Sequence, residues 1–280
     1  MTCDVQNAFL NAKNKERHWI RAGPEFGHKQ GKVFIVVRAL YGLKSASASF
    51  RSFMAAKLDD AGFKSTYADP DVWIKPATRP NGQEHYEYVM CYVDDLIAIA
   101  ANPKKILEDL KGKDIKYKND EIKPPDMYLG ARLKVRDLEG TECWTITSHD
   151  YIKVAVETVK QADAIKQWYW PAKVTTPMTA SFVPEWDKSP ELDSEGITFY
   201  QEMIGMLRWA TELGRVDILY EVAILSQYQA APREGHIKQL IRIFAYLEKR
   251  AKLTLYMDPR HLGLDPSPFV TKTDKFKEYY

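Results

Sequence analysis

Asp94 and Asp95 stand between two apolar runs, Tyr88-Val89-Met90-Cys91-Tyr92-Val93 and Leu96-Ile97-Ala98-Ile99-Ala100. Carboxylates held at the edge of a core are costly unless something compensates them. A divalent cation is one compensation. Hydrogen bonds to a turn are the other, and the pair by itself leaves both open. The remaining adjacent acids, Asp59-Asp60, Glu108-Asp109 and Asp120-Glu121, lie in polar surroundings and read as solvated faces. Asp4 is a further acid in an apolar setting, within Thr2-Cys3-Asp4-Val5. Aspartate is a poor strand former, and Asp4 alone reads as a turn or helix-cap residue. Cys3, Cys91 and Cys143 are odd in number and far apart, which fits a reducing compartment and excludes a disulfide framework or a four-Cys zinc site. None of the six histidines has metal-ligand spacing with another His or Cys.

The elements that must position these acids follow from periodicity. The two apolar runs around Asp94-Asp95 predict a hairpin with the acids at its turn. Glu16 to Leu40 reads as irregular or strand-like, broken at Gly23-Pro24, Gly27 and Gly31. A helix is expected from about Ser45 to Asp60, with Phe50, Phe53, Met54 and Leu58 on one face and Gly62 at its end. Asn102-Pro103 opens another, with Ile106, Leu107 and Leu110 as its apolar face and Gly112 closing it. Lys111 to Lys123 reads as a solvated surface loop. From about Ser148 to Tyr228 the pattern is mainly helical, with Lys166 to Lys188 loop-like. Ile237, Leu240, Ile241, Phe244 and Leu247 form a last apolar stripe that belongs in a core, followed by a short strand at 253–257.

With 280 residues the chain has room for one large domain or two ordinary ones. Its 45% hydrophobic and 28% charged residues exclude general disorder. No apolar run approaches the roughly 20 residues that span a bilayer. Met1-Thr2-Cys3-Asp4 lacks the basic start of a secretory signal. A formal net charge of +2 neither demands nor forbids a nucleic-acid partner, because the placement of cations decides that.

Taken together, several segments resemble the copia-type LTR retrotransposon reverse transcriptases. Tyr92-Val93-Asp94-Asp95 matches their YxDD box. Asp4-Val5-Gln6-Asn7-Ala8-Phe9-Leu10-Asn11 resembles the DVxxAFLNG box, and Ala39-Leu40-Tyr41-Gly42-Leu43-Lys44 the LYGLKQAP box. Further matches in family order are Gly62-Phe63-Lys64, Ala68-Asp69-Pro70-Asp71, Tyr128-Leu129-Gly130, Tyr151-Ile152, Ile204-Gly205, Arg215 with Asp217, and Tyr246-Leu247. The likeness covers nearly the whole chain. A lone YxDD is a weak signal, whereas ordered boxes are a specific one.

The resemblance implies an RNA-directed DNA polymerase region that joins a dNTP to a primer 3′-hydroxyl by two-metal nucleotidyl transfer. Asp4 and Asp94 are then the principal ligands of two Mg²⁺ ions, with Mn²⁺ a possible substitute, and Asp95 completes the acidic cluster. Phe9 takes the sugar-facing position that crowds a 2′-hydroxyl. Tyr41, Gly42 and Lys44 belong to the nucleotide pocket, Tyr92 lies beside the primer terminus, and Tyr128, Leu129 and Gly130 form part of the primer grip. From the residues alone Phe9 reads equally as core packing.

The implied fold class is α+β, a right-hand polymerase palm with an antiparallel sheet and packed helices, partial fingers and a helical thumb. The expected divisions are residues 1–146 for the palm with a fingers-like insertion at about 13–40, 147–231 for a thumb-like region, and 232–280 for the start of a connection region. The implied partners are an RNA or DNA template with primer, dNTPs and the remainder of a Pol polyprotein, with no membrane. The implied setting is intracellular, in cytoplasmic particles and the nucleus. The chain departs from the family pattern at Ser45-Ala46-Ser47, where Gln-Ala-Pro is usual, at Ala12, and at Val216, where proline is usual. The short lead before Asp4 and the end before any ribonuclease H acids lead to the expectation of a truncated polymerase region. The alternative is an inert fragment of such an element that at most binds nucleic acid.

Overall fold

The computed structural model describes residues 1–113 and 115–260. They fall into two units, Met1–Pro125 and the described residues from Asp126 onward. The chain is a mixed α/β protein with antiparallel sheets and several helices.

In the first unit the elements run β1 (Thr2–Asp4), α1 (Ala8–Asn11), β2 (Trp19–Arg21), a 3-10 segment at Pro24–Lys29, β3 (Val33–Ile35), α2 (Ala46–Asp60), β4 (Lys64–Ser65), β5 (Val72–Thr78), β6 (Glu84–Tyr92), β7 (Asp95–Ile99) and α3 (Pro103–Lys111). Five strands form one sheet in the order β1-β7-β6-β5-β4, and β2 pairs with β3 apart from it. Every pairing is antiparallel. Alternate residues send Cys3, Val89, Leu96 and Ala98 into one core with Phe50, Met54 and Leu58 of α2 and Ile106, Leu107 and Leu110 of α3. Phe53 sits at the margin of that core. Both helices have the ends their sequences specify. Gly62 follows α2 at φ +84°, a conformation that favours glycine. Asn102 Oδ1 accepts a hydrogen bond from the Lys105 N–H at 3.2 Å, with Pro103 at the first helical position.

The expectation of a solvated loop over Lys111 to Lys123 is corrected here. Ile115 and Tyr117 are buried, and Tyr117 Oη donates to the Leu107 carbonyl at 2.7 Å. The segment runs along the free edge of β1, with the Gln6 N–H on the Lys116 carbonyl at 2.8 Å and the Thr2 N–H on the Lys123 carbonyl at 2.8 Å. The alternation Ile115-Lys116-Tyr117-Lys118 explains it, since one side reaches the core and the other keeps lysines in solvent. An open strand edge is thereby covered.

The second unit contains β8 (Met127–Tyr128), β9 (Ala131–Leu138), β10 (Thr141–Thr147), α4 (His149–Gln161), α5 (Ser194–Glu212), α6 (Leu219–Leu225), α7 (Glu234–Lys249) and β11 (Leu255–Met257). The strands pair in the order β11-β10-β9-β8. The helices bury Ile152, Val156 and Val159 against Tyr200, Met203 and Leu207, and the whole stripe from Ile237 to Leu247 lies in that core, as its spacing predicts. Arg215, only 2% exposed, makes a bidentate pair with Asp217 at 2.8 Å and 2.8 Å, whereas Val216 between them faces solvent. The departure at Val216 thus falls outside the buried pair. No helix among the described residues is long and apolar enough to cross a membrane. The part of the expected connection region from residue 261 on lies outside the described residues.

Candidate active site

The hairpin of β6 and β7 closes on the Tyr92–Asp95 pair, leaving Val93 and Asp94 as its two turn residues. Val93 has φ +53° while Asp94 does not share the left-handed region. A positive φ at the first turn position is the type II′ pattern, which favours glycine there. A β-branched residue in that region costs on the order of 1–3 kcal/mol and persists only when its surroundings over-determine it. Asp94 therefore occupies the turn, and Asp95 is the first residue of β7.

Asp4 arrives from the neighbouring strand. It is the register partner of Asp95 across β1 and β7, and the Val5 N–H donates to the Asp94 carbonyl at 2.7 Å. The buried Thr2 hydroxyl donates to the Leu96 carbonyl at 2.7 Å and holds that register. Directly opposed residues have Cβ atoms about 4.5–5.5 Å apart, so these two carboxyl groups share one patch of sheet. Alternation directs them away from the face that carries Cys3 and Leu96, which pack on the helices.

The electrostatics of the patch are unbalanced. Burial, then the charges of Asp94 and Asp4, push the Asp95 carboxyl above the usual carboxylate range, opposed by Lys118. Lys118 Nζ lies 3.5 Å from Asp4 Oδ2 with most of its side chain in solvent. An exposed pair of this kind is worth about 0–1 kcal/mol, too little to offset three crowded acids. Motif reading passes over Lys118. The signal that finds it is the Ile115-to-Lys118 alternation, which lays that segment beside β1. Burial pushes the Cys3 and Cys91 thiols up to about 12, so both stay protonated at neutral pH and neither is a thiolate ligand.

Oxygen donors crowded with net negative charge suit a hard divalent cation such as Mg²⁺ or Mn²⁺. The donor chemistry fits. Among the described residues, however, no three His, Cys, Asp or Glu side chains are already gathered as a metal-holding group.

Other expected site residues fall into separate groups. Phe9 and Tyr41 pack with ring centroids 4.6 Å apart and their planes tilted by 40°, and Phe9 also meets Phe50 edge-on at 6.0 Å. Phe9 is thus at once packed and available to a pocket. Gly42 turns the chain beside Tyr41 at φ +93°, and Lys44 is exposed. Tyr92, half exposed, shares the row of Asp95 and Asp4 by strand register. Ser47, one of the departures, lines a small cavity of about 60 Å³ together with Met54, Cys91 and Val93. Tyr128, Leu129 and Gly130 belong to the second unit. There Leu129 and Gly130, at φ +52° and +89°, form the turn between β8 and β9.

A family model described as Reverse transcriptase (RNA-dependent DNA polymerase) matches residues 1–175. The chain belongs to the reverse transcriptase family. It is 26% identical to the putative transposon Ty5-1 protein YCL074W of Saccharomyces cerevisiae, over 96% of this chain and 86% of that protein. It is 26% identical to the retrovirus-related Pol polyprotein from transposon TNT 1-94 of Nicotiana tabacum, over 87% of this chain and 18% of that one. The Pol polyprotein from transposon RE1 of Arabidopsis thaliana is 25% identical over 87% of this chain and 16% of its own length. The chain thus spans less than a fifth of these two polyproteins. No solved structure matches it. The family match and these relatives make this a reverse transcriptase region of a copia-type retrotransposon. Reverse transcriptases generally use divalent metal ions.

Proposed function

We propose that this region catalyses nucleotidyl transfer, with Asp4, Asp94 and Asp95 as the acids that hold divalent cations. The observation that carries the reading is the register of β1 against β7, which sets Asp4 opposite Asp95 beside the Asp94 turn. In the reaction the primer 3′-oxygen forms a bond to the α-phosphorus of a dNTP, the bond from that phosphorus to pyrophosphate breaks, and the hydroxyl proton passes to solvent. Divalent cations, when bound, supply stabilisation of the attacking and leaving oxygens. Asp4 and Asp94 supply the principal oxygen ligands, and Asp95 adds charge to the same patch. The ring of Phe9, braced by Tyr41, forms the wall that crowds a 2′-hydroxyl, and a Phe9→Val protein that still excludes ribonucleotides removes that role. Gly42 and Lys44 complete the nucleotide side, Lys44 toward triphosphate or template. Tyr92 stands beside the primer terminus, and the Tyr128-Leu129-Gly130 turn bears on the primer strand.

In this reading the five-stranded sheet with α2 and α3 is the palm of a right-hand polymerase. The palm extends over 1–146 with partial fingers at about 13–40, the thumb over 147–231, and the connection region starts at 232. The partners are template with primer, dNTPs and the remainder of a Pol polyprotein. Primer extension on poly(rA)/oligo(dT) with Mg²⁺ or Mn²⁺, run beside filter binding, tests it. The expected result is extension by the natural sequence and its loss in Asp4→Ala and Asp94→Ala. Full extension by either variant overturns the assignment of the acids, and binding with no extension by the natural sequence selects an inert, nucleic-acid-binding fragment.

A further inference from the structure

The second unit carries a charged surface that the acidic site does not use. On β9, Arg132, Lys134 and Arg136 are alternate residues and share one face. The register continues that face across β10 through Thr147 and the buried Thr145 and Cys143, and from Thr145 on to Tyr256 of β11. Lys252 and Thr254, just before β11, close one side. The three β9 cations, the two threonines of β10, Lys252 and Thr254 line an open groove of about 280 Å³ with His149 and Asp150.

The charges of this groove are lopsided. Four cations, Arg132, Lys134, Arg136 and Lys252, line it against the single carboxylate of Asp150. Arg132 is already held by Asp150 at 2.9 Å and Asp126 at 3.3 Å. Lys134, Arg136 and Lys252 make no ion pair among the described residues, and all three are exposed. Thr145, Thr147 and Thr254 donate their hydroxyl protons to the carbonyls of Lys134, Leu253 and Lys252, so the floor is fixed and offers no further positive donor. His149 Nδ1 is buried without a hydrogen-bond partner among the described residues.

We propose that this groove binds the sugar-phosphate backbone of a nucleic-acid duplex, as a holding surface distinct from the Tyr128-Leu129-Gly130 turn. The proposal rests on the polymerase reading, which makes such a duplex the substrate. Alternate residues of a strand stand about 6.6 Å apart, so Arg132 to Arg136 spans about 13 Å. One phosphate cannot meet all these cations, whereas successive phosphates of a strand can. Contacts of this kind hold a duplex without reading its sequence.

The test is binding of a poly(rA)/oligo(dT) duplex by the full chain, without metal, over a series of salt concentrations. Each neutralised phosphate contributes roughly 0.9 to the slope of log affinity against log salt. A Lys134→Ala, Arg136→Ala, Lys252→Ala triple variant is expected to lower that slope by about 2–3 and the affinity by roughly 10- to 100-fold at low salt. Lys134→Arg with Lys252→Arg keeps the charges and is expected to keep the slope. Inorganic pyrophosphate competes weakly in the expected result, because it spans too little of the groove. An unchanged slope in a triple variant that melts like the natural chain overturns the proposal. So does an absence of duplex binding by the natural chain, or polyglutamate binding that the triple variant loses while duplex binding persists. Asp94→Asn separates the two readings: it is expected to abolish extension and keep the salt slope, whereas the triple variant raises the KM for primer–template and keeps kcat.

Discussion

In the five-stranded sheet, β1 and β7 crowd like charges into one patch, while in the four-stranded sheet β9 spaces like charges along a strand. The same alternation serves both. Asp95 sits where burial and the charges of Asp94 and Asp4 raise the cost of ionisation, and a left-handed Val93 precedes Asp94 in the turn. Arg132, Lys134 and Arg136 stand two residues apart along β9, Lys134 and Arg136 exposed and Arg132 half-buried against Asp126 and Asp150. Strain and unbalanced charge concentrated at one point mark chemistry. Dispersed charge on a regular strand marks a surface that holds something large.

The sharpest test of that contrast is Asp94→Asn. Single-turnover extension is expected to fall at least about 1,000-fold, equivalent to roughly 4 kcal/mol at the transition state, with duplex affinity little changed. A comparable loss of kcat from the triple substitution in β9 and Lys252 would erase the distinction. Next in size are the cores behind each surface. Phe244→Ala in α7 is expected to destabilise the second unit by about 3–5 kcal/mol, and Leu107→Ala in α3 the first by about 2–5 kcal/mol, read by urea unfolding. Tryptophan fluorescence resolved by unit tells whether each substitution moves its own transition. Asn102→Ala removes the cap of α3 and is expected to cost about 1 kcal/mol in the same measurement.

The smallest effect has the opposite sign. The Asp95 carboxyl is raised in the folded chain, so the stability it contributes is full below the unfolded pKa and is lost as pH rises through the folded pKa. Asp95→Asn is therefore expected to raise the unfolding midpoint of the first unit at neutral pH in metal-free buffer, with the gain vanishing in acid. Equal midpoints at both pH values would show that the patch carries no electrostatic cost.

Helices were the most legible part of the molecule. Asn102-Pro103 and Gly112 bound α3, and Phe50, Met54 and Leu58 mark the buried side of α2, because caps and a 3.6-residue period are local properties. The acidic hairpin was legible from its two apolar runs. The β9–β10 hairpin is less legible: Ala131, Leu133 and Val135 alternate with Arg132, Lys134 and Arg136, but no family box falls on them. The edge role of Lys111 to Lys123 was hidden by its lysines, which outweigh Ile115 and Tyr117 in composition but not in burial. Lys118 was hidden with it.

By itself the amino-acid sequence determined the local elements, the motif residues and the family. It also set the alternation that sorts each strand into a packed and an open face. Only the tertiary structure decided that Asp4 lies opposite Asp95, about ninety positions away, and that Lys118 comes to Asp4 from a third segment. The reason is that strand neighbours are chosen by which pairing buries one face of every strand at once, a condition no single segment contains.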